Sequence, residues 1–312
     1  MSVLICGSMA YDNIMVFPGR FKEHILADQL HILNVAFLVP EMRKEFGGCA
    51  GNIAYNLKLL GEEPLIMATV GDDFPVYQSQ LNTNALDQRF IKVINNTLTA
   101  QAYITTDLDD NQITAFHPGA MDHAHVNEVP TDGGITIGVV SPDGRQGMID
   151  HARQFSDAGI PFIFDPGQGL PMFDGADLKQ FIDQATWVAV NDYEGQLLQE
   201  RTGWTLAEIS GHVEALIVTR GGDGSTIFSQ DEEIVIPPVK PAEILDPTGC
   251  GDAYRAGLIF GISRKLPWSD TGRLASMIGA KKIAHRGTQN HEMSLEGLSA
   301  EFEAEFGYPL PL

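Results

Sequence analysis

The chain is short of cysteine, of basic residues and of long apolar runs, and each shortage excludes something. Its three cysteines, Cys6, Cys49 and Cys250, are odd in number and far apart. They suggest no disulfide framework and have no zinc-ligand spacing, which points to a reducing compartment. Twenty Lys and Arg stand against 41 Asp and Glu, a formal net charge of −21. Binding to nucleic acid or to an anionic membrane needs basic patches, so neither partner is expected. No uncharged run approaches the ~18 residues of a membrane span, and no basic segment precedes the short apolar run after Met1. The expectation is a soluble, cytoplasmic protein. The G-x-x-x-x-G-K-[ST] loop is missing, and no G-x-G-x-x-G follows the first apolar run, which argues against P-loop and dinucleotide enzymes. A polyanionic ligand would have to be held by local amides, a few placed cations and a metal ion.

What is present is a core-forming chain: 44% of its 312 residues are hydrophobic. Val3–Cys6, Pro64–Val70, Ile135–Val140, Pro161–Phe164, Trp187–Val190, Ala215–Thr219 and Thr226–Phe228 read as strands. Polar or glycine-containing loops follow most of them, and helical stretches lie between. This alternation predicts an α/β fold, a doubly wound and mostly parallel sheet flanked by helices. Ligands then meet the chain at the carboxyl ends of the strands. Residues 13–46 lack helical periodicity, and Gln101–Thr106 with Gln112–Phe116 reads as a hairpin across 107–111. No linker or internal repeat divides residues 1–312. The expectation is one domain with a small β lid from segments near 13–46 and 97–121.

Three stretches carry chemistry. Asp246-Pro-Thr-Gly-Cys-Gly-Asp252 leads into an apolar helix, so Gly249, Cys250 and Gly251 sit at its start with free amides and the positive dipole end. Asp252 places a carboxylate in the same turn. Amides that hold a phosphate beside a base for a hydroxyl suit group transfer, although an acidic helix cap reads the same way. Cys250 in that turn reads as a small neutral residue, since a thiolate would repel phosphate. Gly47-Gly-Cys-Ala-Gly-Asn52 reads as a loop before a second helix, with backbone open to a ligand and an amide that donates and accepts. Asn191 and Glu194, spaced i, i+3, suit a hydrated Mg²⁺ or a helix cap. Thr219, Gly221 and Gly224 form a turn that nucleotide phosphates could approach.

Together these stretches resemble the ribokinase (PfkB) family of carbohydrate and nucleoside kinases. Gly47, Gly48, Asn52, Ala54, Gly61 and Gly71 fall at the spacing of its first signature. Asp246, Thr248, Gly249, Gly251 and Asp252 match the second, with Cys250 where Ala or Gly is usual. Gly7–Asn13, Ile113–Met121 and Phe164–Gln168 look like the adenosine kinase-like nucleoside kinase branch. The resemblance implies a ribokinase-like fold and ATP-dependent transfer of the γ-phosphoryl group to the 5′-hydroxyl of a ribonucleoside. Asp252 would be the general base, and Gly249, Cys250 and Gly251 the anion hole. Asp12, Gly48 and Asn52 would bind the ribose hydroxyls, and Phe116, Met121 and Gln168 would contact the base. Asn191, Thr219, Gly221 and Gly224 would face ATP, with Asn191 and Glu194 near its Mg²⁺. Asp246 and Thr248 match positions near a monovalent-cation site, so activation by K⁺ is a further expectation. Two alternatives stay open: a kinase of a free sugar, and a catalytically silent nucleoside- or sugar-binding protein. An exposed lid edge could also pair two subunits into a homodimer.

Overall fold

A run of four to six apolar residues stays extended when helices cover both of its faces, and the central strands of this chain are such runs. The structure, a computed structural model, describes residues 2–25, 34–109, 111–131, 134–230 and 232–312. The part of the expected lid at 26–33, and residue 110 in the hairpin turn, lie outside the described residues. Thirteen strands are present among the described residues: β1 Ser2–Cys6, β2 Ala10–Val16, β3 Glu41–Gly47, β4 Leu65–Val70, β5 Asp87–Val93, β6 Ala100–Thr106, β7 Gln112–His117, β8 Ile135–Val140, β9 Phe162–Phe164, β10 Trp187–Asn191, β11 Ala215–Thr219, β12 Ser225–Ser229 and β13 Glu232–Ile236.

Nine of them form one sheet in the order β13-β12-β11-β10-β9-β8-β1-β4-β5. All its pairings are parallel except β11 with β12 and β12 with β13. Alternation along β1 shows the layering. Val3 and Ile5 join a core with Ile53, Leu57, Ala253 and Leu258 on one face. Leu4 and Cys6 join Phe155, Phe162 and Phe181 on the other. The strand order reverses at β1, which places a ligand crevice at its carboxyl end.

The other four strands form a small sheet in the order β3-β2-β6-β7. It contains the expected hairpin, and β2 begins at Ala10, three residues before the expected segment. A four-residue helix, Phe21–His24, interrupts the extended reading of 13–46. The helix after Gly48 starts at Cys49, so Asn52 lies within its first turn and not in a loop. No helix among the described residues is long and apolar enough to cross a membrane.

Candidate active site

The site begins where β1 gives way to β2. Gly48 has φ +86°, and a Cβ there would lie 2.6 Å from the Ser8 carbonyl oxygen and the Met9 Cα. Only glycine lets the helix Cys49–Leu59 start so close to that turn. The Ala50 amide donates to the Ser8 carbonyl at 3.0 Å, and the Cys49 amide to the Ser8 hydroxyl at 3.2 Å. The helix then carries Asn52 to a second helix, Cys250–Ser263. There the Asn52 Nδ2 donates to the Asp252 carboxylate at 2.8 Å. Two residues 200 apart in sequence thus meet.

Gln289 fixes which way the Asn52 amide points, and no sequence motif announces it. Its Nε2 donates to the Asn52 Oδ1 at 3.0 Å and to the Tyr77 hydroxyl at 2.7 Å. The Tyr77 hydroxyl donates in turn to the Gly47 carbonyl at 2.8 Å. With its oxygen occupied, Asn52 presents N–H to the carboxylate. Burial pushes the Asp252 carboxyl up to about 7, against the Asn52 hydrogen bond, with Asp165 adding to the rise and Arg255 opposing it. A carboxyl poised near neutrality suits a general base.

Asp12 lies on β2 over Gly47, where a Cβ would sit 2.4 Å from the Asp12 Oδ2. Burial, with the charges of Asp246 and Glu45, pushes it up to about 6. Asp12 is in register with Ala102 on β6, and Ala102 with Phe116 on β7. Register partners share a sheet face, so half-exposed Phe116 stands on the Asp12 face about 10 Å away, two inter-strand spacings. Met121 is part-buried in the turn of 3₁₀ helix Gly119–Val126, and Gln168 is exposed in the one at Gly167–Met172.

Gly249 takes a left-handed φ of +78° and opens the helix Cys250–Ser263, which has no side-chain cap. The amides of Gly249, Gly251 and Asp252 have no acceptor among the described residues. The amide of Cys250 is the exception: it donates to the Pro247 carbonyl at 3.2 Å and leaves the expected anion hole one donor smaller. Burial pushes the Cys250 thiol up to about 11, so it stays neutral. Arg255, one turn on, is neither exposed nor paired with Asp252. Its Nη2 donates to Asp165 at 2.9 Å and to the Ala189 carbonyl at 3.2 Å, a buried cation among three acids.

Asn191 ends β10 in register with Thr219 at the end of β11, so the two expected nucleotide loops are adjacent. Asn191 and Glu194 form a complete capping box. The Glu194 amide donates to the Asn191 Oδ1 at 2.7 Å, while the Asn191 amide and Nδ2 donate to the Glu194 carboxylate at 2.8 and 2.9 Å. Each carboxylate oxygen keeps a lone pair, so contact with a metal through water fits and direct ligation competes with the cap. Burial and the charge of Asp165 raise the Glu194 pKa, a strain that a nearby cation would relieve. No group of three or more His, Cys, Asp or Glu among the described residues is placed to hold a metal. Gly221 has φ +53° with open space beside it, whereas Gly224 packs its Cα over the Ile236 carbonyl and serves the turn itself. Two recesses of about 440 Å³ lie at the amino ends of the strands, near Trp187, Glu214 and Trp268, and contain none of these residues.

The model of the pfkB family of carbohydrate kinases matches residues 9–294. The chain belongs to that family. This pfkB-family chain is therefore a phosphotransferase acting on an alcohol group. It is 52% identical to the nucleoside kinase of Burkholderia thailandensis solved in complex with inosine, with a TM-score of 0.92 over 98% of this chain and 99% of that one. Against the same enzyme in complex with ADP-inosine the identity is 53% and the TM-score 0.89, covering 99% and 97%. The nucleoside kinase of Methanothermobacter thermautotrophicus is 28% identical, covering 96% of this chain and 98% of its own. The ribokinase-like fold and the family reading of the motifs both hold.

Proposed function

We propose that the protein is an ATP-dependent nucleoside kinase that transfers the γ-phosphoryl group to the 5′-hydroxyl of a ribonucleoside. The observation that carries this is the bond between Asn52 and Asp252 beside three amides without an acceptor among the described residues. It supports a base for the acceptor hydroxyl within one helical turn of donors for the phosphoryl oxygens. Asp12 and Asn52 hold the ribose hydroxyls, where a carboxylate accepts from a cis diol and the backbone at Gly48 leaves room for the ring. Phe116 covers the base, with Met121 and Gln168 at its edge. Asp252 takes the 5′-hydroxyl proton as the oxygen attacks, while the Gly249, Gly251 and Asp252 amides stabilise charge on the transferred group.

Asn191, Thr219 and Gly221 face the nucleotide, and Asn191 with Glu194 would hold Mg²⁺ through water. Mg²⁺ supplies charge neutralisation on the phosphates when bound. Arg255 keeps Asp165 paired, which limits the repulsion that ionised Asp252 meets. The small sheet closes over the acceptor as a lid and excludes water, which would otherwise take the phosphoryl group.

A panel of inosine, adenosine, guanosine, cytidine, ribose and fructose 6-phosphate with Mg-ATP tests the reading by ADP release. Turnover with ribonucleosides and little with free sugars is expected. Turnover confined to a free sugar, or nucleoside binding with no ADP formed, would overturn it.

A further inference from the structure

Lys282 lies in the last turn of the helix Trp268–Ile283 and is fully buried. A charge removed from water is costly unless it is met by acceptors. Its ammonium has no carboxylate within ion-pair distance among the described residues. It donates to two backbone carbonyls, of Asp246 at 2.7 Å and of His285 at 3.4 Å. The helix adds the negative end of its dipole there.

Asp246 and Thr248 are the residues expected beside a monovalent cation, and Asp246 is already engaged. The Asp246 carboxylate already accepts from the Thr248 amide, the Gly287 amide and the Arg43 guanidinium, each at 3.0 Å. Burial raises its pKa, but the hydrogen bonds from Gly287 and Thr248, with the charge of Lys282, outweigh that and hold it below the usual range. The Leu245 and Asp246 amides both donate to the Ile283 carbonyl, at 2.9 and 3.1 Å. The strand of chain that leads into Gly249 is thus strapped to the end of the Trp268–Ile283 helix, with the ammonium at the knot. Every oxygen of Asp246 thus already accepts a hydrogen bond, which leaves a soluble ion little to bind there.

We propose that the Lys282 ammonium is a resident cation for the 246–252 turn, in place of soluble K⁺, and holds the turn's free amides in position for the transferred phosphoryl group. The proposal rests on the kinase reading above. Lys282 is a positioning residue in it, because it acts through the Asp246 carbonyl and touches no substrate.

The test compares turnover in potassium, sodium and choline chloride at equal ionic strength. Wild-type rates that agree across the three salts are expected, and marked activation by K⁺ overturns the proposal. Lys282→Ala should lose about 10²-fold in kcat in choline chloride, the cost of a displaced catalytic group, with a smaller change in nucleoside KM. It should regain much of that loss with K⁺ or NH₄⁺. A normal rate without added cation, or a loss that no cation relieves, overturns the proposal. The volume-preserving Lys282→Met should stay folded and respond less to added ions, which separates lost charge from lost packing. Mg-ADP affinity needs no acceptor and keeps the test independent of the nucleoside assignment: wild-type affinity that tightens strongly with K⁺ counts against Lys282. Absence of turnover with every acceptor in every salt would count against the kinase reading instead.

Discussion

Replacing Asn52 by Leu should move the pH profile of the enzyme upward, and the size of the move follows from one hydrogen bond. A general base works only when ionised, so wild-type kcat/KM should rise with pH through the Asp252 value of about 7. Asn52 donates to that carboxylate at 2.8 Å and favours the ionised form. A hydrogen bond to a charged group is worth about 1.5–3 kcal/mol, and one pH step is about 1.4 kcal/mol, so its loss shifts the inflection up by about 1–2. The variant should therefore turn over with an inflection at about 8–9, and recover with alkali the part of the loss due to protonation. What stays lost above that pH is the contact of Asn52 with substrate. Initial rates at low nucleoside from pH 5.5 to 10, with ADP measured directly, report the free-enzyme value. An inflection that stays near 7, or moves down, would refute the coupling between Asn52 and Asp252.

Other outcomes follow from the same geometry. A site built on hydrogen bonds from Asp12 and Asn52 should reject 2′- or 3′-deoxynucleosides by a factor of order 10⁴ in kcat/KM, and equal use of deoxyadenosine and adenosine would remove their assigned roles. Gly249→Ala puts a Cβ 2.9 Å from the Thr288 Cγ2 at a left-handed φ. It should cost about 1–2 kcal/mol in stability or push the turn out of place, read as a lower kcat in a folded protein. Arg255→Met leaves Asp165 buried and unpaired and should destabilise by about 3–5 kcal/mol in denaturant unfolding, with much of that recovered when Asp165→Leu is added.

The central strands were legible because burial on both faces leaves unbroken apolar runs, and Ile135–Val140 and Ala215–Thr219 have the expected limits. The edge strands β5 and β13 were not, since Arg89, Lys92, Glu232 and Glu233 interrupt their pattern where one side meets solvent. The glycine turns and their carboxylates were readable because spacing alone sets which groups share a helix start. Gln289 was not, because its tie to Asn52 crosses 237 residues and exists only after the helices dock. The same holds for the Lys282 ammonium, whose acceptors are backbone carbonyls that carry no residue signature. The sequence pattern likewise counted the Cys250 amide among the free donors of the 249 turn, and Pro247 takes it back through a local turn.

The most direct test of the account is the turnover of Asp252→Asn. The burial that raises the Asp252 pKa makes its ionised form unfavourable above pH 7, so the neutral amide should leave the thermal midpoint there unchanged or higher. With the fold and both KM values kept, kcat should fall by roughly 10²–10⁴, the range for a lost general base. A folded Asp252→Asn protein that phosphorylates nucleosides at nearly the wild-type rate would contradict the account.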